Sequence, residues 1–583
     1  MYLKINNMTR LLTTIKILML FVFLMNGIGL KSQNVDLEKL GSIKNNKPVK
    51  FSGGLSANSI FYNGNGGTGR DPFIYYLNGN VNMNILGLID LPFSFNITNY
   101  GAGFNYPTLP NRLCISPKYK WITAHIGDVN MTYSPYTLNG HLFRGAGVEL
   151  DPKGSIKFSA MAGQFQRGVE YDPNNKVTFA SYKRFGYGAR LNFVKKRYKL
   201  GMIVFAAKDK VNSLILKPDS LNILPQQNLV VSWTGSVMPT KDLELTAEYA
   251  TSALTRDLRD NTKLSNTGKS VLKGIFNTKN STSFYNAIKA NLNYKFKNKI
   301  IGVGYERIDP GYQTLGSYYF NNDLENITFN FAQPILKQKG NISGNFGYQH
   351  DNLDGKKFGS NKRVVYAINV NYTPNQKLYT TASYSNFQTF MYIRSQFQNI
   401  NQFTQFQNID TLNYSQISQN ANFNVNYTFD RRTKKNQSVN VNLNYLDAAD
   451  RQGGIVRFGN ASQFFNLATS YTILFVPQSL SITAAYNASY NTIGKNEYLT
   501  LGPTVAVNSK LFKQISTSLS ASYNKTKTSG VYENAVFNTR ANFGYTLFTK
   551  HLFSLSLMDQ WRDVKLKGNT NDIVVTLGYN YSF

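Results

Sequence analysis

A single cysteine, Cys114, stands among 583 residues. That rules out an internal disulfide and any cysteine-built zinc site. Long apolar runs are missing as well. The one candidate, Ile17–Leu30, is too short and too near the N-terminus for a stable helical span. The mean hydropathy of −0.31 excludes a multi-helix membrane protein. Acidic residues are scarce: 31 Asp and Glu face 63 Lys and Arg, a formal net charge of +32. Such an excess suits nucleic acid or anionic lipid headgroups. No nucleic-acid motif accompanies it, so the sequence favours lipid and no nucleic-acid partner is expected.

What the chain has in quantity is aromatic residues, 14% of the total with 38 Tyr and 40 Phe. They fall in alternating segments. Ile573, Val575, Leu577, Tyr579, Tyr581 and Phe583 alternate with Val574, Thr576, Gly578, Asn580 and Ser582. A period of two means a strand with one apolar and one wet face. Leu243–Tyr249, Ile288–Phe296, Val364–Tyr372, Phe423–Phe429, Val439–Tyr445 and Leu480–Tyr490 repeat the pattern. The non-apolar face is rich in Asn, Ser and Thr rather than charge, which suits a wet lumen better than the surface of a soluble sandwich. The fold class expected is all-β: a single large antiparallel transmembrane β-barrel of about 26 strands, with roughly 22 to 26 as the range.

The connections support this reading. Short ones such as Val476–Ser479, Lys337–Gly340 and Lys297–Lys299 alternate with longer ones such as Lys525–Asn534, Asn491–Tyr498, Gln388–Gln416, Asp309–Glu325 and Thr255–Ser281. Short periplasmic turns and long extracellular loops are the habit of bacterial outer-membrane barrels. The short turns carry much of the basic charge, at 196–197, 297–299, 337–339 and 430–435. They would meet lipid headgroups or an acidic periplasmic partner. Residues 1–32, with Lys4, Arg10 and Lys16 before Ile17–Leu30, read as a cleaved signal peptide. Residues 33–50 then form a short periplasmic segment and 51–583 the barrel. A barrel this wide leaks unless filled, so a filler is expected: Gln388–Gln416 or Thr255–Ser281 folded inward, or a plug or periplasmic partner protein.

Few residues suggest chemistry. His125, Asp128, His141 and Glu149 suit a metal or acid–base cluster by type. However, His125 and Asp128 lie three apart on a strand and face opposite sides. An ion pair of Arg144 with Asp128 or Glu149 inside the lumen is the favoured reading, and no metal or cofactor is expected. Ser554 and Ser556 near His551 invite a hydrolase reading, but lie on expected strand ends; no enzyme activity is expected. The candidate lumen lining is Lys289, Asn291, Asn369, Asn371, Asn422, Asn424, Asn426, Asn440, Asn442 and Asn444, with Lys289 and Lys295 biasing it to anions.

With Lys31-Ser32-Gln33, an Asn/Tyr/Lys-rich composition and the ending Tyr579-Asn580-Tyr581-Ser582-Phe583, the chain resembles the outer-membrane β-barrel proteins of the Bacteroidota. The resemblance implies the outer membrane, its lipid, and the barrel-assembly machinery that looks for such a terminal aromatic. It implies no solute. The expected functions are a channel for a polar, anionic or glycan-like solute, or a scaffold barrel of a secretion, motility or assembly complex.

Overall fold

The computed structural model describes residues 48–65, 71–100, 111–172, 180–216, 223–260, 272, 275–318, 320–356, 362–386, 389–392, 414–431, 434–448, 451–452, 455–456, 462–512, 514–565 and 568–583. The expected leader, 1–32, lies outside them. Residues 51–84 and 88–583 form one compact unit; 1–50 with 85–87 form a second, whose described part is one strand end and one turn.

The larger unit is an antiparallel sheet that closes on itself. Each strand pairs with its sequence neighbours, and Val49–Gly64 pairs with Gly568–Ser582, from Gly54↔Ser582 to Gly64↔Asp572. Two strands are interrupted. Arg112–Ile115 and Lys118–Tyr119 are halves of one, split where Pro117 cannot donate to the ladder. Leu378–Ser385 and Thr389–Tyr392 both pair with Tyr414–Arg431 and form another. Counting each as one gives a closed barrel of 26 strands. Closure leaves no free edge.

Alternation then sorts side chains to two faces. The outer face carries exposed apolar residues: Ile126 is 53% exposed, Tyr187 59%, Leu200 58% and Leu577 47%. The inner face is identified by contacts between strands that are not neighbours in the sheet, which can be made only across the inside. Tyr136, after Ile122–Thr132, donates to Glu306 on Lys299–Ile308.

Two connections expected to be long are tight turns. Leu480–Ile493 runs almost directly into Asn496–Leu511, and Ile515–Thr528 into Val531–Leu547. Gly494 (φ 61°) and the pair Ser529–Gly530 (φ 48° and 83°) take the left-handed backbone that two-residue hairpins need. Polar residues at 491–498 and 525–534 are strand, not loop, because they extend beyond the apolar belt.

Candidate functional site: an inward-docked constriction

Glycine makes the inner wall flat enough to pack against. A Cβ on Gly163 would meet Phe143 at 2.6 Å, one on Gly186 would meet Phe165 at 2.6 Å, and one on Gly147 would meet Met131 at 2.5 Å. The side chains of Val129, Met131, Phe143, Met161, Phe165, Ile203 and Phe205 therefore lie across the inner wall as an apolar cluster. Cys114 packs at its margin.

Two connections cover that cluster. Tyr133 and Leu138, from the turn before Asn139–Leu150, join it, as does Leu315 from the connection 309–323. A second inner cluster holds Tyr136, Tyr312, Val230, Ala250, Ala287 and Ile308. The 309–323 connection is fastened by hydrogen bonds. Asn228, fully buried, accepts from Leu315 N at 3.1 Å and donates to Ser252 at 2.8 Å and Ala253 O at 3.0 Å. Ser252 donates to Gln313 O at 2.8 Å, Tyr312 to Tyr136 O at 2.8 Å and Thr314 to Thr137 O at 2.6 Å. Tyr318 stacks on buried His141 at 4.0 Å. Burial pushes the Tyr136 and Tyr312 phenols far above the ordinary tyrosine value, and the Glu306 carboxylate pushes Tyr136 further. Both stay neutral donors. The sequence did not point to Asn228 or Ser252; the aromatic, low-charge stretch 312–320 was the available signal for the loop.

Thr255–Ser281, one of the two loops expected to fill the lumen, does not point inward at Leu272 and Phe276. Leu272 and Phe276 of Thr255–Ser281 pack on Val231, Ala253, Leu229 and Phe284. Those share the face of exposed Trp233 and Tyr249, so this part of the connection lies on the outside. Most of Gln388–Gln416 lies outside the described residues.

The ion pair expected in the lumen also differs. Arg144 and Asp128 are cross-strand partners and form a bidentate pair at 2.8 and 3.0 Å, with Leu113 N also donating to Asp128. They share the face of exposed Leu113 and Ile126, the outer one, because the buried inner residues Val129 and Phe143 are of opposite parity. Glu149 is on the inner face and approaches His125 at 3.7 Å, so it cannot share Arg144. His141 sits elsewhere, and among the described residues no group of three or more His, Cys, Asp or Glu gathers. His551 meets the Tyr579 hydroxyl at 2.9 Å on the outer face, away from Ser554 and Ser556.

The asparagines occupy adjacent inner rows. Asn369, Asn422 and Asn444 fall in one row, Asn371, Asn424 and Asn442 in the next, and Asn426 pairs with Asn440 in a third. Asn291 lies opposite Gly304. Lys289 is also inner, but its cross-strand partners are Glu248 and Glu306, the latter at 3.5 Å. Two carboxylates flank one lysine, which removes the expected anion bias at that point.

Buried ion pairs brace the same wall. Arg184 grips Asp209 (3% exposed) at 2.7 and 3.0 Å. At the seam, Asp572 accepts from Tyr62 at 2.6 Å and pairs with Arg562 at 3.2 Å.

No protein-family model and no curated protein sequence matches the chain. Several solved structures are similar to it. The P pilus usher (PapC) translocation pore has a TM-score of 0.35 and 9% identity, over 91% of this chain and 99% of that one. The ferric enterobactin receptor PfeA of Pseudomonas aeruginosa has 0.39 and 9%, over 91% and 80%. The FrpB iron transporter of Neisseria meningitidis has 0.35 and 11%, over 91% and 81%.

Proposed function

We propose that the protein is an outer-membrane channel for polar solutes. The observation that carries this is the inversion of its two faces. Apolar residues cover the outside of a closed barrel, while the inner face from Leu324–Ile335 to Ile515–Thr528 is rich in amides and hydroxyls. A water-soluble protein rarely exposes so continuous an apolar belt, whereas a lipid-facing wall requires it. Aromatic residues such as Trp233 and Tyr249, which stack at 5.9 Å, sit in the belt where ring and hydroxyl suit the membrane interface. The leader at 1–32 would bring the chain to that membrane. The docked 309–323 connection narrows the lumen to the space between itself and the asparagine wall. Planar-bilayer recording tests this: the full chain should conduct, and replacing residues 311–320 by a short glycine linker should raise the unitary conductance severalfold. Silent bilayers with correctly folded protein would overturn the reading.

One observation favours a second reading, a scaffold. At the end where the last strand finishes, Phe512 (87% exposed) and Phe548 (78% exposed) stand beside Lys510 and Lys550. A stoichiometric partner on purification from native membrane would support it.

A further inference from the structure

The inner wall differs sharply between its two sides. The side near the docked connection carries Glu149, Glu244, Glu248, Lys289 and Glu306. The other side begins at Leu324–Ile335 and runs through Ile515–Thr528. Cross-strand partners share a face, so inner rows can be followed strand by strand. One reads Ser343, Asn369, Ser383, Asn422, Asn444, Asn466. Among residues of these strands whose side chains are described, the inner face carries one charged group, Lys510, at the turn end. In a chain of net charge +32, the described cations of this side stand at turns, rims and the outer face.

We propose that this side of the lumen receives neutral, polyhydroxylated solutes, of which an oligosaccharide is the type; the inference rests on the channel reading. An amide offers donors and an acceptor at one position, and a hydroxyl does the same. Rows of both match the alternating donors and acceptors of a sugar. The groups already bond one another this way: Asn345 donates to Asn330 at 2.5 Å, Asn424 to Asn440 at 3.4 Å and Asn487 to Thr504 at 3.3 Å. Among the described inner side chains of this wall, a charged solute finds no counter-charge beyond Lys510 at the turn end. Selection by charge therefore has little source here, while exchange of hydrogen bonds with a hydroxyl-rich solute has many.

Bilayer recordings of the full chain test this in 1 M KCl, where the Debye length of about 3 Å screens the basic turns from the lumen. The expected result is cation-to-anion permeability near one, with maltohexaose shortening open times in a concentration-dependent way. The double variant Asn424→Asp, Asn442→Asp should turn the pore cation-selective severalfold and weaken the maltohexaose block. Marked anion selectivity at 1 M salt, or block by a hexameric polyphosphate but not by maltohexaose, overturns this inference and leaves the channel standing. Absence of any current overturns both.

Discussion

Single side chains decide whether the constriction stays in place. Asn228 is the keystone: it serves Leu315 N, Ser252 and the Ala253 carbonyl from full burial. Asn228→Ala leaves Leu315 N without its acceptor and takes one donor each from Ser252 and the Ala253 carbonyl, at about 1–3 kcal/mol for a buried polar group left unpaired. The expected outcome is a barrel that still folds but shows a lower melting temperature in detergent and a noisier, larger conductance. Tyr312→Phe removes only the bond to Tyr136 O and should cost about 1 kcal/mol. The phenols also set a pH dependence. Their native values lie above the unfolded one, so the native state holds its protons more tightly. Stability from this source is fully present below about pH 10 and is lost above it, as only the unfolded chain ionises. Conductance and melting temperature should therefore be flat between pH 6 and 9 with respect to these groups, and stability should fall beyond pH 10. A Tyr136→Phe, Tyr312→Phe double variant should blunt that alkaline fall.

Whole strands follow a different logic, in which small residues make room for large ones. Gly163→Val would drive a side chain into Phe143 and the Arg144 carbonyl, at 2.6 and 2.7 Å from the new Cβ. Overpacking of this kind costs about 1–3 kcal/mol, readable as a lower unfolding temperature. Gly87→Val, where nothing lies within 4 Å but φ is 68°, separates strain from crowding. Strands were legible in the sequence because lipid and lumen impose a strict period of two; Ile573–Phe583 shows it without interruption. Turn lengths were less so. Asn491 and Lys525 are polar strand residues beyond the apolar belt, and polarity alone reads as loop. The connection 309–323 was legible as a connection, but its inward docking was not. Its footing, Asn228 and Ser252, lies 85 and 61 residues from Gln313, and only the register places them beneath it. Arg144 faces outward rather than into the lumen for a simpler reason. The sequence of Asn139–Leu150 alone does not say which parity is inner, and buried Phe143 does.

At the scale of the whole barrel, the decisive contact is the seam. Tyr62 and Asp572, 510 residues apart, share a hydrogen bond of 2.6 Å, and Arg562 completes the set. Asp572→Leu takes the buried carboxylate away from the Tyr62 phenol and from Arg562, which keeps its bond to Gln560. It should lower the temperature at which the compact band gives way to the extended one in semi-native electrophoresis, while Asp572→Asn should recover part of the loss.

That seam also carries a demand on biogenesis. Until the last strand is in place, Val49–Gly64 has no partner on one side, and its free amides and carbonyls would template pairing with any other extended chain. Contacts this remote in sequence also form slowly, because the loop must be closed before it is rewarded. The unfinished chain must therefore be kept apart from its copies and its two lateral edges brought together late.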